Sequence, residues 1–281
     1  MVKENACMPK LFKKSVTGAT HKRKGIECQD FAKYEAYNEV AIIAVADGHG
    51  SDRCPYSLSG AKIAVNSFDK VIQELLNIDE DFLSNKSKWD GLKIAEKVVI
   101  EWQKRVIRSY CKKKDTSKES LGIEEKGIYK LYGTTLLGIV FMPDMLFVLQ
   151  IGDGNITLVS NNQIVDLIDA ERLLGTDTYS LSNKDAWNYA CYKVYDDINK
   201  ANDRLFILST DGFYNSHKTQ EEYEKSCRGY YRMIKEYGFE AVCENIPEWL
   251  KETSEMGCGD DITVALAYYE TDEAMKSEVT V

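Results

Sequence analysis

Residues 40–52 read VAIIAVADGHGSD, and this stretch decides how the rest of the chain is organised. VAIIAVA is a continuous apolar run rich in β-branched residues, which predicts a strand buried on both faces. It runs directly into Asp47, Gly48, His49 and Gly50. A buried strand fixes whatever stands at its end, here an acid and an imidazole separated by a glycine. Taken alone, Asp-Gly after a strand is an ordinary turn signal, because glycine supplies positive φ and Asp caps its own backbone.

The same pattern recurs along the chain. LFVLQI (146–151) runs into Gly152-Asp153-Gly154, and RLFILST (204–210) runs into Asp211-Gly212. Gly259-Asp260-Asp261 immediately precedes ITVALAYY (262–269). Four acids at strand boundaries point to ends gathered along one edge of a sandwich. Converging carboxylates repel one another without a cation. Oxygen donors with no cysteine partner favour a hard ion, Mg²⁺ or Mn²⁺, over zinc. Two such ions about 3.5–4 Å apart suit in-line displacement at phosphorus, and no Ser or Cys nucleophile is then needed. The chain has no G-x-S-x-G motif to supply one.

Of the three histidines, His49 is placed to protonate a leaving oxygen near neutral pH. His21 lies in THKRKGIECQD (20–30), a basic cluster ahead of an acid where an oxyanion can be held. His217 reads as a surface or loop residue.

Around these motifs the chain alternates strands and helices. Ala61, Ala64, Val65, Phe68, Ile72 and Leu75 fit an amphipathic helix, and Leu92 to Val106 fit a second. LLGIVFM and MLFVLQI, parted by Pro143-Asp144, predict an antiparallel hairpin, and NITLVS with QIVDLI is expected to extend that meander. Residues 219–252 predict one or two helices. Residues 170–203 have weak periodicity and read as a surface insertion. The economical architecture is a single domain with helices on the outer faces of stacked sheets.

Bulk properties narrow the function classes. The chain has 281 residues, 44% hydrophobic and 29% charged, as in an ordinary globular protein. Neither a membrane span nor a secretory signal is evident, so a cytoplasmic location is expected. The eight cysteines are scattered with no C-x-x-C pair, which excludes common zinc-ribbon spacings and favours reduced thiols. A net charge of −9 argues against general nucleic-acid affinity but leaves a phosphorylated substrate open, because bound metal ions reverse the local field.

Read in order, CQD (28–30), DGHG (47–50), GTT (133–135), IGDG (151–154), STDGF (209–213) and GDDIT (259–263) resemble the metal-dependent Ser/Thr protein phosphatases of type 2C, the PPM family. The resemblance is to a bacterial-like subgroup. It implies an α+β fold of two stacked antiparallel sheets flanked by helices. It divides the chain into an N-terminal extension (1–13), a catalytic domain (14–269) in which 170–203 is a flap-like insertion, and an acidic tail (270–281). By the same resemblance Asp47 bridges two ions and Gly48 offers a carbonyl ligand. Asp211 and Asp260 hold the second ion, Asp153 helps hold a weaker third, and Asp30 lies near the metal waters. His49 matches the general acid, and Gly133-Thr134-Thr135 is structural.

The chain departs from the pattern twice. Gly25 stands where a phosphate-gripping arginine is common, so His21, Lys22 or Lys24 is the candidate for that role, Lys24 foremost. Asn215 stands where many members have another acid, which weakens the expected third-ion site. The function implied is hydrolysis of phosphoserine and phosphothreonine in proteins by a Mn²⁺- or Mg²⁺-dependent monomer that opposes a Ser/Thr kinase. A pseudophosphatase and a two-metal phosphodiesterase or nuclease are the rival readings. The intact acids argue against the first, and the acidic surface against the second.

Overall fold

The computed structural model describes residues 8–118, 121, 125–161, 163–168, 179–196 and 202–271. Among these residues ten strands form two five-stranded antiparallel sheets. The first contains β1 (Lys10–Val16), β10 (Ile262–Tyr269), β9 (Arg204–Ser209), β6 (Asn155–Ser160) and β7 (Ile164–Asp166), in that spatial order. The second contains β2 (Phe31–Tyr37), β3 (Val40–Ala46), β4 (Leu136–Phe141), β5 (Met145–Ile151) and β8 (Cys191–Asp196).

The apolar run that opens the argument is β3, and all seven of its residues are buried. Side chains alternate across a strand. Val40, Ile42, Ala44 and Ala46 therefore face helices α2 (Ser57–Ile78) and α3 (Gly91–Lys114), where they meet Phe68, Ile72 and Trp102. Ala41, Ile43 and Val45 face the other sheet and meet Phe206, Leu208, Ala265 and Ala267. The opposite face of that sheet is covered by α6 (Gln220–Tyr237) and α7 (Phe239–Met256), around Tyr223, Ile234, Ile246 and Leu250. The expected fold is thus the observed one, four layers deep.

Three sequence expectations need correction. The meander does not extend beyond β5. After Ile151 the chain turns through Gly152 and Gly154, both at positive φ (97° and 112°), and enters the other sheet, where β6 pairs with β9 and β7. Within the predicted insertion, CYKVYD forms β8 on the edge of the second sheet, paired with β5. Its residues are partly exposed on both faces, so it carries no period that sequence could show. The boundary expected at residue 14 falls inside β1, which begins at Lys10 and pairs with β10 along its length. Most of the expected tail lies outside the described residues, as does much of the flap-like segment.

The topology explains the gathering of the motifs. β3 and β5 both run antiparallel to β4, so both end at the same side of their sheet, where β4 begins. β9 ends where the antiparallel β10 begins. β2 starts opposite the end of β3, and β1 ends opposite the start of β10. All six motifs therefore stand at one end of the sandwich.

Candidate metal centre

Asp47 leaves the end of β3 with its backbone clamped. Its N–H donates to Thr135 Oγ1 (3.0 Å), and its carbonyl accepts from Thr135 N (2.9 Å) and Thr134 Oγ1 (2.8 Å). The Gly133-Thr134-Thr135 stretch also receives His49 N–H on the Gly133 carbonyl at 3.0 Å. This agrees with its structural reading. Gly48 is a close-approach glycine: a β-carbon there would meet Gln29 O at 2.5 Å and the Ser57 carbonyl group below 3 Å. Among the described residues no donor reaches the Gly48 carbonyl. It therefore keeps both lone pairs for another partner.

Asp211 opens the short helix α5 (Asp211–Asn215) directly after β9. Its carboxyl lies against that of Asp47. Burial, then the charges of Asp30 and Asp211, push the Asp47 carboxyl well above the usual carboxylate range. Asp211 is also raised, by burial and by the charges of Asp153 and Asp260. Asp30, 3% exposed, is raised by burial and by Asp261 and Asp260, while Thr210 Oγ1 donates to it at 2.8 Å. Asp30, Asp47, Asp153, Asp211 and Asp260 thus feel one another as one electrostatic cluster. For the three with raised carboxyls, the leading influences besides burial are other acids and hydroxyls, not cations.

His49 lies beside this cluster. Burial lowers its pKa, and the charge of Asp153 opposes that shift. His21 sits at the near end of α1 (Ala19–Lys24), with Nδ1 3.0 Å from Asp261 Oδ1 and Nε2 close to Gly50. The His21–Asp261 approach has ion-pair distance but not hydrogen-bond alignment. Lys24 is exposed in the last turn of α1 and makes no ion pair among the described residues. Gly25, at the position of the missing arginine, closes that helix at φ 68°.

Sequence reasoning missed Asp261 as a functional residue. It is buried, and its two oxygens accept from Gly18 N and Gln29 N, each at 2.7 Å. That ties the loops on either side of α1 to the start of β10. The doubled acid in GDDIT is the only sequence trace of two separate roles, Asp260 turned outward and Asp261 inward. Thr210 and Thr263 were also missed. Thr263 N donates to Thr210 Oγ1 (3.0 Å), which orients the hydroxyl that reaches Asp30.

The donor set fits a hard divalent cation: oxygen donors only, several of them carboxylates whose mutual repulsion a cation would relieve. Among the described residues, no three Asp, Glu, His or Cys side chains form a complete set around one ion.

Comparison with known proteins agrees with this geometry. The family model described as Protein phosphatase 2C matches residues 17–252. No curated protein matches the chain by sequence. Among solved structures, the catalytic domain of the phosphatase PstP in complex with two manganese ions is 13% identical with TM-score 0.55, covering 94% of this chain and 99% of that one. PstP/Ppp from Mycobacterium tuberculosis is 14% identical with TM-score 0.56, at 94% and 99% coverage. The S. agalactiae serine/threonine phosphatase is 16% identical with TM-score 0.59, at 93% and 100% coverage. At these identities the likeness is one of fold, and the family match carries the assignment. With a sequence match over most of its length, a shared fold and an acid cluster at one sandwich end, this chain belongs to the protein phosphatase 2C family of metal-dependent serine/threonine phosphatases.

Proposed function

We propose that the protein hydrolyses phosphoserine and phosphothreonine in proteins at the acid cluster, with two Mn²⁺ or Mg²⁺ ions held by Asp47, the Gly48 carbonyl, Asp211 and Asp260. The observation that carries this reading is the contact between the Asp47 and Asp211 carboxyls inside a ring of further acids. When bound, such ions activate a water at neutral pH and neutralise charge developing on phosphorus. Asp153 contributes to a third, weaker ion position, and Asp30 orients water from the floor of the site through the hydroxyl network of Thr210.

His49 delivers a proton to the departing Ser or Thr oxygen. An alkoxide is a poor leaving group, so this proton matters most for such substrates. The Asp153 charge opposes the burial that disfavours the imidazolium, and so keeps the donor form within reach. His21 and Lys24 hold the non-reacting phosphate oxygens. Unchanged KM and kcat in Lys24→Ala would remove Lys24 from that role. A monomer acting against a Ser/Thr kinase completes the proposal.

The test is phosphate release from a phosphothreonine peptide with Mn²⁺, with chelator, and in Asp211→Asn. Release that needs Mn²⁺ and is lost in the variant supports the reading. Tight peptide binding without release, in protein shown to hold metal, favours a phosphoprotein-binding role instead.

A further inference from the structure

Beside the acid cluster, a cavity of about 430 Å³ opens between the edge strands β1 and β2 and the start of α2. Its walls include Lys13, Lys14 and Lys62, with Phe31 among them and Asp30 at the inner side. In a chain with a net charge of −9, none of these three lysines makes an ion pair among the described residues. Neighbouring lysines differ: Lys33 pairs with Asp69 at 2.7 Å, and Lys70 with Glu101 at 2.8 Å.

Lys13 donates to the Ala32 carbonyl at 2.8 Å and lies over the Phe31 ring at 5.1 Å. Lys62 lies over the same ring at 5.7 Å. Two ammonium groups held on one ring make a concentrated positive field, which Glu35 offsets only in part at Lys13. The acids in the lining do not cancel that field. Glu27 is exposed, and the Asp30 carboxyl is taken up by Thr210 on the far side. Behind the cavity, Ser15 Oγ accepts from Thr263 Oγ1 at 2.7 Å, so its inner wall is part of the network that holds Asp30.

We infer that this cavity is a subsite for an anionic side chain of the substrate protein, a carboxylate or a second phosphate near the scissile phosphoresidue. Asp30 borders both the cavity and the acid cluster. A side chain two to four positions along an extended peptide, about 7–14 Å from the scissile phosphoresidue, is the substrate feature this placement calls for. The volume suits one side-chain anion with water. The inference rests on the phosphatase reading and names the substrate class of that site.

Three phosphothreonine peptides of equal length test it: one with neutral flanks, one with Glu flanks and one with a neighbouring phosphoserine. They are compared on the Mn²⁺-loaded full chain. Wild-type protein is expected to favour the anionic peptides in kcat/KM by roughly three- to tenfold, the range of a few solvent-accessible charge pairs. The Glu and phosphoserine arms show which anion the cavity prefers. Lys13→Gln/Lys62→Gln should erase the preference while leaving the neutral peptide unchanged, and Lys13→Arg/Lys62→Arg should keep it. The preference should also shrink with ionic strength, as the Debye length falls from about 30 Å at 0.01 M to about 8 Å at 0.15 M.

Equal kcat/KM for all three peptides, or a preference that survives the Gln variant, overturns the subsite. Absence of release from every peptide, the neutral one included, is instead a failure of the phosphatase reading. Fluorescence anisotropy with the same labelled peptides then decides the subsite independently. The same ranking of affinities, lost in the Gln variant, supports it, and indifferent binding overturns it.

Discussion

Asn215 Nδ2 donates to Asp211 Oδ2 at 2.8 Å, one helical turn along α5. An amide in this place occupies a lone pair of a proposed metal ligand and adds no charge. In Asn215→Asp two carboxylates face each other there, which costs stability without metal and gains a ligand with it. The variant should lose about 1–2 kcal/mol in chelator, the scale of one lost hydrogen bond plus like-charge repulsion. The stabilisation gained on adding Mn²⁺ should be larger than in wild type. Thermal unfolding with and without Mn²⁺ checks both. An unchanged Mn²⁺ increment would detach Asn215 from the metal centre.

The contact between Asp47 and Asp211 makes the opposite prediction for their own replacement. Both carboxyls are held above the usual range by burial and by neighbouring acids. Asp211→Asn keeps the shape and removes one source of repulsion. The metal-free variant should therefore be as stable as wild type or more so, while Mn²⁺ no longer raises its unfolding temperature. Phosphate release should fall at least about 10³-fold, the scale for losing a major source of transition-state charge stabilisation. A variant that is inactive and also less stable in chelator would mean that Asp211 acts as a structural residue.

How far the sequence reached follows from where each signal comes from. β3, β4, β5, β9 and β10 are buried along almost their whole length, so their apolar runs were legible. β1, β2 and β8 lie on sheet edges with partly exposed residues, and their KLFKKSV, FAKYEAY and CYKVYD do not stand out from loop. The crossing of the chain after Ile151 was hidden because Gly-Asp-Gly suits a hairpin as well as a change of sheet. In the site, acids at strand ends were visible because strand and motif are contiguous. Asp261, Thr210 and Thr263 act by hydrogen bonds to segments up to 248 residues away, as in Thr263 Oγ1 to Ser15 Oγ, which no local pattern records.

The role proposed for His49 separates substrates by leaving group. His49→Gln keeps a polar side chain of similar reach but cannot act as a proton donor of comparable acidity. Turnover of a phosphothreonine peptide should fall about 10²–10⁴-fold, the usual worth of general acid catalysis. An aryl phosphate, whose leaving phenolate needs little protonation, should be affected far less. Steady-state kcat on the two substrates provides the check. Equal losses on both would assign His49 to metal or substrate positioning.

Asp261 is predicted to hold the N-terminal loops rather than to take part in chemistry. Its carboxylate receives two backbone N–H bonds at 2.7 Å and has His21 Nδ1 at 3.0 Å. Asp261→Ala leaves Gly18 N and Gln29 N without that acceptor, and should cost about 3–5 kcal/mol, as charged hydrogen bonds in a buried site do. In Asp261→Asn one oxygen remains to accept, so the loss should be smaller. Urea unfolding of both variants in chelator measures the difference, and equal effects on the two would remove the hydrogen-bonding argument.

At the far end of the sandwich, Asp203 gives a pH dependence that can be read apart from the metal centre. Burial works to raise its pKa, but the Thr271 N–H at 2.8 Å and Lys235 at 3.1 Å outweigh it and leave the carboxyl below its ordinary 3.8. A carboxyl more acidic in the folded state binds fewer protons there than in the unfolded chain. Its stabilisation is therefore complete above 3.8 and is lost as pH falls through the folded value. Asp203→Asn should be less stable than wild type by about 1–3 kcal/mol at neutral pH, the range for hydrogen bonds to a charged group. That gap should narrow as pH drops below 3.8, because wild type then carries the same neutral group. Urea unfolding of the pair at neutral pH and near pH 3, in chelator throughout, measures it. A gap that stays constant with pH would mean that Asp203 acts by shape and neutral hydrogen bonding, with Lys235 contributing nothing through its charge.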